Sequence, residues 1–142
     1  QDGMLIGLGS GTTSAFFIKR LIQRCHEGLK IKVVATSSVS EHLAKEGRIP
    51  FADIDTVTHL DLAIDGADEI DKKKQMIKGG GGALLREKII AKMAREMIVI
   101  VDESKCVDQI GAFPLPVEIA PFAYQATLAQ IEALGLHPKL RH

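Results

Sequence analysis

Glu87 is the carboxylate in this sequence with the most unusual surroundings. It lies early in ALLREKIIA, a run whose spacing reads as helix. Its neighbours three and four residues away, Ala83, Leu84, Ile90 and Ala91, are small or apolar, so no basic partner lies within reach on its own helix. Such a carboxylate is either a first-turn acid complementing the helix dipole or a general base, which partial desolvation would strengthen. Just upstream, Lys78 precedes four glycines, Gly79, Gly80, Gly81 and Gly82, in KGGGGALLREK. Glycines at a helix mouth let a ligand approach bare backbone, whose N–H groups form nests for negative oxygen. Lys78 adds positive charge beside them.

Two further groups complete the chemistry. In DLAIDGADEID, Asp65 ends an apolar run and Asp68 follows three residues later. Carboxylates at a strand end can hold sugar hydroxyls or relay their protons; Mg²⁺ held by one or two of them is the competing use, and the EF-hand pattern is absent. Asp61, Glu69 and Asp71 read as acids of a solvated loop. In GLGSGTT, an apolar run and a glycine turn lead into a helix start, an arrangement whose N–H groups and dipole suit an anion. Ser10, Gly11, Thr12 and Thr13 would line it, with Thr36, Ser37 and Ser38 at the next strand end. The dinucleotide fingerprint fails, because Thr12 stands where its third glycine belongs, and no ribose-binding acid ends the second strand. P-loop residues are absent too. Hydroxyls at both strand ends suit a small phosphate monoester better than a dinucleotide.

The elements that must carry these residues alternate. Strands are expected at 4–8, 31–35, 49–52, 60–64, 97–101 and 115–119. Helices are expected at 13–25 with Thr12 or Thr13 as N-cap, 38–46 closed by Gly47, 83–95, and from Pro121 to Leu134. Strand–helix alternation argues for an α/β fold, Rossmann-like, with a mostly parallel sheet flanked by helices. Ligands then bind beyond the carboxyl ends of the strands, where all three groups fall. The proline-rich FPLPVEIAP marks a boundary between a main α/β domain over 1–117 and a segment over 118–142.

Composition narrows the class. With 142 residues the chain can bury a proper core, and its equal counts of basic and acidic residues, 18 each, argue against a nucleic-acid binder. No apolar run is long enough to cross a membrane. Cys25 and Cys106 have no metal-like spacing and read as free thiols of a reducing, cytoplasmic compartment. His26, His42, His59, His137 and His142 have no ligand spacing either. No leader precedes MLIGLG, and the chain begins and ends inside patterns, which suggests a fragment.

In this order, GLGSGTT, TSS, DGADEID, MIKGGGGALLREKIIA, VDESK and FPLPVE resemble ribose-5-phosphate isomerase of the A type, over Gly7 to roughly Leu134. The turn reads GSGTT where many members have GTGST, a hydroxyl swap compatible with phosphate binding. The resemblance implies that 118–142 is the beginning of a smaller α+β domain. It implies interconversion of D-ribose 5-phosphate and D-ribulose 5-phosphate through an enediolate, with no cofactor and no metal. It implies Glu87 as general base, Asp65 as the ring-opening carboxylate with Asp68 as its polar neighbour, and Lys78 as support for both and for the developing oxyanion. Gly79–Gly82 would donate backbone N–H groups to that oxyanion, each such donor being worth about 3–4 kcal/mol. Ser10, Gly11, Thr12 and Thr13 with Thr36, Ser37 and Ser38 would grip substrate, and Lys105 would lie near the sugar phosphate. The implied partners are the small-molecule substrate and further copies of the chain, a homo-oligomer, with no nucleic acid and no membrane. Two alternatives stand beside it: a sugar-phosphate-sensing domain of a transcriptional regulator with the same fold, which would need the phosphate grip but not the base, and an inactive fragment.

Overall fold

The computed structural model describes residues 1–141 and holds a four-stranded parallel sheet; His142 lies outside the described residues. Strands β1 (Leu5–Leu8), β2 (Lys32–Ala35) and β3 (Leu60–Asp65) are apolar runs, and a later strand, Ala94–Val99, lies at the sheet edge. Two short antiparallel strands, β4 (Glu69–Ile70) and β5 (Met76–Ile77), form a separate ribbon, so the edge strand is β6. The sheet order is β2-β1-β3-β6, with Ile6 opposite both Val33 and Leu62, and Ile64 opposite Ile98. The chain leaves β1 toward one side to make β2 and returns to the other side to make β3. The gap between β1 and β3 is therefore a topological switch point, the place where open parallel sheets bind ligands.

Side chains alternate across the sheet, as a period of two requires. Ile6, Leu8, Val33 and Ile64 point to one face, where α1 (Gly11–His26) and α2 (Ser38–Glu46) cover them with Ile18, Leu21 and Ala44. Val34 and Ala63 point to the other face, where α3 (Leu85–Met93) lays Ile90 on them. Burying Ile90 contributes roughly 1.5–3 kcal/mol toward docking α3. Gly7 decides how closely α3 docks: a Cβ there would stand 2.4 Å from Ile90 Cγ2. Ile90 and Glu87 are three residues apart, hence on one helix face, and both are buried. The packing that seats Ile90 therefore also turns Glu87 toward the sheet.

Several expected elements differ. The helix expected to start near Thr13 begins at Gly11, with Ser10 as N-cap and no side-chain cap bond, so neither Thr12 nor Thr13 caps it. The strand expected at 49–52 reduces to one bridge between Phe51 and Val33, because Pro50 has no N–H to give. No strand forms at 115–119, where Pro114 and Pro116 interrupt the ladder. The third helix stops at Met93 rather than Arg95, which belongs to β6. The last helix, α4, runs Tyr124–Ala133 rather than starting at Pro121, and Ala123 before it has φ +52°. The ribbon β4–β5 was not expected. Its turn is tied by Asp71, which accepts from the N–H groups of Lys73 and Gln75 at 2.9 and 2.8 Å.

Candidate active site

Beyond the carboxyl ends of β1 and β3, four polar side chains from four separate segments meet. Asp65, the last residue of β3, is buried. Its Oδ1 accepts from the N–H groups of Ser10 (3.1 Å) and Gly66 (2.8 Å) and, at 3.5 Å, from the Ser14 hydroxyl. Its Oδ2 accepts from the Lys78 ammonium at 2.9 Å. Lys78 also donates to the Gly66 carbonyl at 2.6 Å and stands 3.3 Å from Glu87 Oε2. The Ser10 hydroxyl donates to Glu87 Oε1. Glu87 itself retains only 5% of its exposure. A cation shared between two buried carboxylates, with hydroxyl and amide donors on the remaining lone pairs, is what such burial demands.

The absence of an in-helix partner for Glu87 thus holds, but the residue is not unpaired. Its partners come from the loop after β5 and the turn after β1.

The glycine run is less open than its composition implies. The Gly80 N–H donates to Asp68 Oδ2 at 2.7 Å, and the Gly82 N–H to the Gly79 carbonyl at 2.9 Å. Two of the four amides, those of Gly79 and Gly81, have no such partner among the described residues. Ala83 and Leu84 separate the run from the helix proper. Gly80 is squeezed: a Cβ there would lie 2.7 Å from both Asp68 Oδ1 and Phe113 Cζ. Asp68 is half-buried and uses one oxygen for Gly80.

The remaining expected residues divide. Gly11 and Thr12 are exposed and Thr13 half-buried at the mouth of α1, whose 16 residues aim their positive end at the site. Thr36 is buried and donates its hydroxyl to the Leu8 carbonyl at 3.0 Å, bracing β1 against β2. Ser37 caps α2 in a reciprocal capping box with Ser40. Their hydroxyls are thus occupied by the fold, while Ser38 is exposed. Lys105 sits in a short 3-10 helix (Glu103–Lys105) beyond β6. There the Ser104 hydroxyl and N–H hold the Asp102 carboxyl below the usual carboxylate range. The Lys105 ammonium has no partner among the described residues.

Two of the acids read as solvated loop are structural instead. Asp61 accepts from the Leu5 N–H at 2.8 Å, tying β3 to the start of β1. Glu69 is buried and receives two backbone N–H groups. Three further residues at the site escape sequence reasoning. Ser14 is a buried hydroxyl inside a helix, Phe113 lies in an irregular segment, and Arg141 donates to the Gly80 carbonyl at 2.9 Å across 61 residues. None carries a local pattern; each is found only by distance in space. Among the described residues, no cluster of three His, Cys, Asp or Glu side chains is arranged to hold a metal ion.

Comparison with known proteins identifies the relatives of this chain. Residues 32–142 match the family described as ribose 5-phosphate isomerase A (phosphoriboisomerase A). A ribose-5-phosphate isomerase A of Protochlamydia amoebophila is 52% identical over 141 residues, covering 99% of this chain and 61% of that protein. The ribose 5 phosphate isomerase A of Neisseria gonorrhoeae superposes with a TM-score of 0.92 at 42% identity, over 99% of this chain and 62% of that one. A D-ribose-5-phosphate isomerase in complex with phospho-erythronic acid gives the same TM-score and identity, over 99% and 63%. The chain spans 61–64% of the length of the first curated relatives it matches. The residues that carried the resemblance and these matches agree: the chain belongs to the ribose 5-phosphate isomerase A family.

Proposed function

We propose that this site interconverts D-ribose 5-phosphate and D-ribulose 5-phosphate through an enediolate, with Glu87 as the base and without a metal or cofactor. The observation that carries the reading is the Glu87 carboxylate, buried beside the Lys78 ammonium at 3.3 Å and held by the Ser10 hydroxyl. Family membership supports it, and so does phospho-erythronic acid, the ligand in one relative. An aldonic acid phosphate presents a planar carboxylate where an enediolate has its two oxygens.

In the forward direction Glu87 takes the proton from C2 of the open-chain sugar. The C–H electron pair becomes the C1=C2 double bond, and the carbonyl oxygen O1 becomes the oxyanion. Glu87 then returns its proton to C1, the O2–H pair forms the ketone, and the O2 proton passes to O1. Lys78 has three donor directions, toward Asp65, the Gly66 carbonyl and Glu87. The last is the longest and the one an oxyanion would take over, assisted by the Gly79 and Gly81 amides. Phosphate falls to Gly11, Thr12 and Thr13 at the positive end of α1, with Ser38 and Lys105 as further contacts; Thr36 and Ser37 shape that wall through the backbone. Ring opening has two candidate carboxylates. Asp65, to which the resemblance gives the task, is enclosed by four donors. Asp68 keeps Oδ1 without a hydrogen-bond partner among the described residues, which favours Asp68 as the proton relay and Asp65 as the residue that fixes Lys78.

The same reading makes the complete protein a cytoplasmic homo-oligomer. The free thiols Cys25 and Cys106 suit a reducing compartment. Exposed Leu115, Val117 and Phe122 suit cover by further chain or a second copy. None of the α4 residues is buried, consistent with 118–142 as the beginning of a second subdomain after a main domain over 1–117. A sensor domain would need the phosphate grip alone, so Glu87 and Lys78 together count against it.

The test is conversion of ribose 5-phosphate to ribulose 5-phosphate, by this chain and by a form extended to the length of its relatives. Turnover unchanged by a chelator is expected. Turnover in neither form would overturn the reading, and loss on chelation would return Asp65 and Asp68 to metal binding. Turnover in the longer form alone would assign the site correctly and the missing activity to its scaffold.

A further inference from the structure

Glu69 is buried to 5% exposure in the β4–β5 ribbon, yet no cation pairs with it among the described residues. Its charge is met by two backbone amides from a distant segment: the Gly111 N–H donates to Oε2 and the Phe113 N–H to Oε1, both at 2.7 Å. Two charge-assisted bonds to one carboxylate fix that segment strongly. What they fix is the ring of Phe113, whose Cζ lies so close to Gly80 that a Cβ on Gly80 would stand 2.7 Å from it. Gly80 is also held by Asp68, which accepts its N–H at 2.7 Å. Asp68 immediately precedes Glu69, the first residue of β4. One grips Gly80 directly and the other grips it through Phe113.

We infer that Glu69 is a positioning residue for the glycine loop: through Gly111 and Phe113 it sets the height of Gly80 and so the aim of the neighbouring Gly79 and Gly81 amides at the reacting sugar. This rests on the proposed isomerase reading, under which those amides face the enediolate. The donors matter most when charge builds on oxygen, so loosening them lowers kcat and leaves KM nearly unchanged.

The experiment compares Glu69→Gln, Phe113→Ala and the double variant in the full-length protein, reading kcat, KM and the amide resonance of Gly80. Glutamine can accept only one of the two N–H groups. Glu69→Gln is expected to lower kcat roughly 10- to 100-fold, the scale of a misplacement of about 1 Å. KM stays within about twofold, a ground-state contact being little changed. Phe113→Ala should lower kcat similarly, and the double variant should be no slower than the slower single one. The Gly80 resonance should move in both single variants. Additive losses, or a Gly80 resonance unmoved by Glu69→Gln, would mean that Glu69 serves stability alone. If Glu69→Gln does not fold, Phe113→Ala decides: an unchanged kcat overturns the inference. Absence of turnover in the parent protein would sink the isomerase reading instead, while the Gly80 resonance still tests the coupling.

Discussion

Replacing Glu87 by glutamine slows isomerisation by roughly 10²- to 10⁴-fold, the contribution of a well-placed general base, and leaves sugar-phosphate binding nearly intact. The substitution keeps the shape of a side chain that is almost wholly buried, and the amide oxygen still accepts from the Ser10 hydroxyl that now holds Oε1. Lys78 keeps Asp65 at 2.9 Å as its counter-charge. What disappears is the carboxylate that can take a proton from carbon. The measurement pairs kcat on ribose 5-phosphate with calorimetric binding of phospho-erythronic acid. Turnover within tenfold of the parent would remove Glu87 from the chemistry, and loss of binding alongside turnover would make it a structural acid.

Lys78→Met acts on both stability and rate. Among the described residues the ammonium is the single cation between Asp65 and Glu87, whose side chains are 7% and 5% exposed. Methionine fills much of the space and leaves two carboxylates facing each other without compensation. Removing one partner of a buried ion pair costs about 3–5 kcal/mol, which for a domain of this size lowers Tm by roughly 10–15 °C. Thermal unfolding of the variant checks the first effect. Adding Asp65→Asn should recover part of the lost Tm by removing one orphaned charge, while kcat stays low because the oxyanion still lacks its cation. A Lys78→Met protein as stable as its parent would show that water reaches the pair and screens it.

The sequence exposes the parts of this fold that repeat with a period, and conceals the parts that depend on distant neighbours. The apolar run at Leu60–Asp65 marks a strand because it buries both faces, IVIV reads as one from its β-branched residues although the edge strand leaves Ile98 exposed, and Ser38–Glu46 is bracketed by Ser37 and Gly47, which serve as its caps. The ribbon Glu69–Ile70 with Met76–Ile77 is too short to have a period at all. The proline-bearing stretches fail as strands for want of N–H donors, although their side chains look like strand residues. At the site, the chemistry of Glu87, Asp65, Asp68 and Lys78 is legible as residue type beside glycine. Their mutual pairing is not, because helical spacing rules describe one element and Lys78 reaches Glu87 from another. Glu69 is hidden for the same reason: five acids in eleven residues resemble a solvated loop until the amides of Gly111 and Phe113 fold over one of them.

The return of the chain across β1 has a temporal consequence. Ser10 and Asp65 are 55 residues apart, and their bond at 3.1 Å exists only once β3 lies against β1. The site cannot assemble early from local pieces; it closes with the centre of the sheet. Protons on the Ser10 and Gly66 amides should therefore be among the last in the molecule to exchange with solvent, released by global opening rather than by a fluctuation of the loops. Where β3 is paired with β1 so that Ile64 lies opposite Leu8, Asp65 stands beside Ser10, and Lys78 and Glu87 come to it from other segments.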